Sequence, residues 1–193
     1  MKILFSCSVI FLFGCAGGPP APAWQANARF SLDSFQQAYL RGDTRVAEAE
    51  FGRARAELQS TGRGDLVARA ELVRCAARAA SLEFDNCPGF EKLRADAGAE
   101  ELAYADFLSG KNEKPGTDDP LSRLISHGVK FNNGKATPEN ISAAIDIASA
   151  QGWRRSLLAW LGVQEKRAEM AGDRAALERI RRRMALILEK TER

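Results

Sequence analysis

The stretch Ala38-Tyr39-Leu40-Arg41-Gly42-Asp43-Thr44-Arg45-Val46-Ala47-Glu48-Ala49-Glu50-Phe51-Gly52-Arg53-Ala54 joins two helix-forming runs through a single break. Gly42 can take the left-handed conformation that ends a helix. Asp43 suits the start of the next one, where a carboxylate meets the positive end of the helix dipole. In the second run Ala47, Phe51 and Ala54 recur at four- and three-residue spacing, so they share one face. Small side chains let two helices approach closely, and the aromatic ring fills the groove between them. The stretch predicts an antiparallel pair of helices.

The same break recurs at Gly64-Asp65 and Gly172-Asp173. From Phe30 onward Ala, Leu, Arg and Glu dominate, and strand-like alternation of β-branched residues is absent. Helices are predicted near 31–41, 44–60, 65–84, 98–109, 119–127, 138–151, 154–171 and 173–190. Asp119-Pro120 and Thr137-Pro138-Glu139 are start signals, a cap followed by proline in the first helical position. In the last helix Leu177, Ile180, Met184, Ile187 and Leu188 form one stripe, and the arginines 179 and 181–183 fall mostly off it. Loops are expected at 110–118 and 130–136, the second carrying the turn signal Asn132-Asn133-Gly134. Neither is long enough to separate domains, and 193 residues suit one domain with a sizeable core. The expectation is a single all-α domain over 30–193.

The positions Gly42, Asp43, Ala47, Phe51 and Ala54 resemble, in order, the core of a tetratricopeptide repeat. A weaker echo runs from Ala168 to Asp173 and on to Leu177, with an arginine where the aromatic should stand. The middle of the chain does not repeat at a fixed period. The resemblance implies a tetratricopeptide-like array of antiparallel helix pairs, whose stacking leaves an extended groove for binding another protein. The alternative is an irregular helical bundle.

The N-terminus has its own pattern. Lys2 is followed by the apolar run Ile3 to Phe13, too short to span a bilayer. Leu12-Phe13-Gly14-Cys15 resembles the lipobox of bacterial lipoproteins. That resemblance implies cleavage before Cys15, a lipid on its sulfur, and residues 1–14 as signal peptide. Ala16 in place of Asp is similar to the pattern sorted to the outer membrane. Residues 15–29, rich in Gly, Pro and Ala, read as a flexible linker between lipid and folded body. The expected location is the periplasmic face of the outer membrane, with the membrane itself and an unidentified envelope protein as partners. Cleavage after Ala23 would instead give a soluble periplasmic protein.

Little in the body points to chemistry. The formal net charge of +3 gives no reason to expect nucleic acid. No phosphate loop, nucleophile elbow or cofactor motif occurs. His127 stands alone, which excludes multi-histidine metal sites. It reads either as a general base or as a residue near a helix C-terminus, favoured there by the dipole. Once Cys7 leaves with the leader and Cys15 takes the lipid, Cys75 and Cys87 remain. In an oxidising compartment these two predict a disulfide, not a metal site or a catalytic dithiol. The segment with Trp153, Arg154, Arg155 and Trp160 is the candidate partner-binding patch, because aromatic and arginine side chains dominate interface hot spots. The same tryptophans also read as large core residues. No catalytic residue is assigned; the rival reading is a cell-wall-acting enzyme using Glu101 or Asp106 as a base.

Overall fold

A computed structural model describes residues 22–112 and 119–189. Cys15 and the whole of the expected signal peptide lie outside the described residues, as do 113–118 of the expected loop. The described residues are all-α, with no strand among them: α1 (Ala23–Arg41), α2 (Thr44–Gln59), α3 (Gly64–Ala80), a short α4 (Pro88–Glu91), a 3-10 turn (Arg94–Asp96), α5 (Ala99–Leu108), α6 (Pro120–Asn132), α7 (Pro138–Ala150), α8 (Arg154–Ala171) and α9 (Arg174–Glu189).

Two of the three Gly-Asp breaks behave as expected; at the third, Gly64 is already the first residue of α3 and Gly62 takes the left-handed conformation. Gly42 ends α1 at φ 90° and Gly172 ends α8 at φ 67°. Asp119 caps α6 by accepting from the backbone N–H groups of Leu121 and Ser122. Thr137 and Asn140 cap α7 reciprocally. Ala47, Phe51 and Ala54 are buried, with the Phe51 ring 5.2 Å from that of Phe35 on α1.

Three boundaries differ from the sequence reading. Helix α1 begins at Ala23, so residues 23–29 of the expected linker are helical. The added turns are anchored because Ala28 lies buried in the α1–α2–α3 core. Helix α6 runs through His127 and Gly128 to Asn132, because α3 crosses it there. Helix α3 stops at Ala80 instead of 84, and the chain turns back at Leu82, φ 59°.

That turn is closed covalently. The sulfurs of Cys75 and Cys87 lie at bonding distance, with Cα atoms 5.6 Å apart and a sequence separation of 12. Asn86 and Cys87 also sit at positive φ, 56° and 51°, which side chains rarely favour. The Arg78–Asp85 ion pair at 3.0 Å holds the same loop. The Asp85 carboxylate also lies within 4.8 Å of both sulfurs, but each of the three groups already has a partner. Replacing both cysteines by serine is expected to lower stability by about 2–3 kcal/mol, mainly by freeing the unfolded chain. Urea melts measure this; unchanged midpoints would show that the loop holds itself shut.

Helix α3 is the shared wall of two cores. Val67, Ala70 and Ala77 belong to the core with α1 and α2, while Ala68, Leu72, Ala76, Ala79 and Ala80 belong to the core that α3 builds with α5 and α6 and that α7 to α9 continue. Its alanines keep both neighbours close. Helix α1 packs against α2 and α3, and also against α8. A one-way stack of pairs would not bring α1 and α8 together. The pairs therefore close into a helical bundle, the alternative left open by the sequence.

Candidate functional site

The segment singled out for partner binding is an internal clamp. Trp160 is 0% exposed and Trp153 5%, so neither presents a surface. The Trp160 indole N–H donates to the Ala80 carbonyl at 3.2 Å, and its ring meets Phe131 edge-on. Arg155 donates to the Tyr39 carbonyl at 2.8 Å, to Thr44 Oγ1 at 2.6 Å and to Glu83 at 3.2 Å. Its guanidinium also lies 4.2 Å from the centre of the Tyr39 ring. Arg154 faces Asp43 at 3.8 Å. Beneath them Ser81 and Ser156, both buried, share a hydrogen bond of 2.9 Å. The candidate patch of Trp153, Arg154, Arg155 and Trp160 is thus corrected. These residues fasten the start of α8 to the α1–α2 turn and the end of α3. The bundle needed large side chains there, and the Tyr39 carbonyl, which already accepts from the Gly42 N–H at 3.0 Å, takes Arg155 as a second donor.

The acids of the rival reading are also accounted for. A cleft of about 1000 Å³ opens between α3, α5 and α6, and Glu101 lines it at 8% exposure. Its carboxylate accepts from Arg69 at 2.7 Å and from the Gly98 backbone N–H at 3.1 Å. Burial pushes its carboxyl up, but the Arg69 hydrogen bond and the backbone donors outweigh that and leave it below the ordinary range. This is an ionised helix cap: it has the charge state of a base, but its oxygens are committed to Arg69 and to the Gly98 N–H. Tyr104 in the same cleft is pushed up to about 12 by burial and by the charge of Asp119. Asp106 pairs with Lys111 at 3.1 Å. His127 lies half-buried inside α6, not at its end, and burial followed by Lys130 and Arg123 lowers its pKa. It is neutral at pH 7.

A second hollow, of about 730 Å³, has a different character. It runs along α8 against the end of α6 and the start of α7. Leu158, Ala159, Gly162 and Val163 form one wall, with Leu82, Phe131 and Ile141 opposite. Leu158 and Gly162 are four residues apart, as are Ala159 and Val163, so they line one face beside the buried stripe of Leu157, Trp160, Leu161 and Ala168. A Cβ on Gly162 would meet nothing within 4 Å. At the far end Met170 is 80% exposed. Helix α9 covers the remaining side of α8, where Arg181 bonds Glu165 and Glu169, each at 2.7 Å.

The hollow combines an apolar floor, open space and a charged rim, the usual make-up of a docking groove. It was missed in the sequence because α8 reads as one apolar stripe. Gly162 in the middle of a helix was the available signal, since glycine costs stability there unless space is needed. No described helix is long and apolar enough to cross a membrane. No family model, curated protein or solved structure matches the chain.

Proposed function

We propose that this protein is an outer-membrane-anchored periplasmic lipoprotein whose helical body acts as a protein–protein interaction scaffold. The anchoring part rests on the lipobox-like Leu12-Phe13-Gly14-Cys15. The scaffold part rests on one observation: the open apolar groove along α8, with unfilled space over Gly162. The cell-wall enzyme is the weaker reading, because Glu101 is committed to Arg69 and the α5 cap and Asp106 to Lys111.

The test is crosslinking in intact cells followed by capture from detergent-solubilised envelopes, comparing the native protein with Gly162→Trp. A Cβ at Gly162 meets nothing within 4 Å, so the tryptophan starts from open space and its ring can lie in the groove without displacing the helix. The native protein retains an envelope protein that Gly162→Trp loses. Equal capture by both would remove the groove from the reading. Recovery of the native protein in the soluble periplasmic fraction would remove the anchor.

A further inference from the structure

We propose that Cys75, Cys87 and Asp85 form a redox-gated zinc site: a disulfide when oxidised, and a thiolate–carboxylate site for one zinc ion when reduced. The site draws on neither the α8 hollow nor the anchor, so it stands or falls apart from both.

Two thiols alone are too few ligands for zinc, and the fold adds a third. The Asp85 carboxylate and both sulfurs lie within 4.8 Å of one another. Tetrahedral zinc, with bonds of about 2.3 Å to sulfur and about 2.0 Å to oxygen, sets such atoms about 3.5–3.8 Å apart. Reduction therefore has only to let the sulfurs part and the carboxylate draw in. Contacts that use no sulfur keep the three groups together. Cys75 sits within α3, and the fully buried Phe90 holds α4, the helix that follows Cys87, on the core. The Cys87 N–H donates to Asp85 at 3.2 Å, and the Glu83 N–H donates to the Arg78 carbonyl at 2.9 Å. Three protein ligands and one water make an ordinary open zinc site.

Charge and softness choose the ion. Zinc with two thiolates and one carboxylate is left with one negative charge in excess. Arg78, 3.0 Å from Asp85, offsets that charge and orients the carboxylate. The other charged groups beside the site are already paired: Glu83 with Arg155, Glu91 with Arg94, and Lys111 with Asp106. Soft sulfur disfavours magnesium and calcium, while zinc accepts the mixed donor set.

The bond is also placed to open. Among the described residues, the three side-chain-bearing ones at positive φ are Leu82, Asn86 and Cys87, and all belong to the loop this bond closes. Backbone strain of that kind marks a labile disulfide. Both cysteines are half-buried beside a hollow of about 220 Å³. A dithiol reductant opens the bond by exchange. Its thiolate attacks one sulfur, the other sulfur leaves with the electron pair, and the reductant's second thiolate closes its own disulfide. The two protein thiolates then take zinc, releasing any protons they carried. A disulfide oxidant reverses this: it accepts two electrons, the Cys75–Cys87 bond re-forms, and the ion is freed.

The test uses the intact protein, reduced with dithiothreitol under nitrogen and then freed of it. Cobalt(II), added alone as the probe, should bind at one equivalent with a thiolate-to-cobalt charge-transfer band, and zinc should displace it. The oxidised protein should give no such band, and oxidised glutathione should release bound zinc as the free thiols disappear. Asp85→Asn keeps both sulfurs and the side-chain shape, yet should weaken cobalt binding at least about tenfold. Glu91→Gln, beside the same hollow, should leave it unchanged. Cys75→Ser should abolish the band; should that variant fail to fold, Asp85→Asn and the redox dependence of the native protein still decide. Four results would each overturn the inference: a bond that dithiothreitol leaves intact in the folded protein, reduced protein without the band, equal uptake by the oxidised protein, or undiminished affinity in Asp85→Asn.

Discussion

Trp160→Ala is expected to destabilise the protein by about 3–5 kcal/mol, a large part of a small domain's total stability. The side chain is wholly buried where α8 meets α3 and α6. Its removal leaves a cavity too enclosed to collapse, strips Phe131 of its edge contact, and takes away the donor bound to the Ala80 carbonyl. That carbonyl is one of the last of α3, and a helix end buried without partners is costly. Trp160→Phe keeps most of the volume and loses the hydrogen bond, so it should cost only about 1–2 kcal/mol. Urea unfolding of both variants gives the comparison. Similar losses would mean that volume at this position matters less than the burial implies.

Gly128→Ala is expected to destabilise by about 1–3 kcal/mol or more, although alanine is the better helix former by about 1 kcal/mol. A Cβ at Gly128 would lie 2.2 Å from the backbone carbonyl oxygen of Ala79. No side chain can swing away there, so α6 must lift off α3. Gly162→Ala makes the reference, because a Cβ at Gly162 meets open space and the same substitution should stabilise by about 0.5–1 kcal/mol. Thermal melts of the two variants should move in opposite directions. Shifts of the same sign would show that the α3–α6 crossing is looser than described.

The contrast between these glycines bears on what could be read in advance. The sequence reading ends α6 at residue 127, just before Gly128. Gly128 lies inside α6 because α3 presses against it. The groove was legible only as an unexplained glycine in α8, since whether a second apolar stripe is covered depends on elements distant in sequence. The tryptophans carried both readings from the start. Local pattern cannot distinguish a hot spot from a core residue when both want the same side chains.

By itself the sequence determined that the body is all-α and where four of its helix ends fall. Gly42, Gly172, Asp119 and Thr137 act on their own backbone neighbours, and such effects need no tertiary partner. It also paired Cys75 with Cys87, on the expectation that Cys7 goes with a signal peptide and Cys15 takes a lipid. Only the tertiary structure decided that α1 starts at Ala23, that α6 continues past Gly128, that the helix pairs close on one another, and that Arg155 faces inward. Each depends on a contact made far along the chain, as when Arg155 reaches a carbonyl 116 residues away. The free energy of those choices comes from burial and from satisfying buried polar groups between distant segments, which no local window of residues contains.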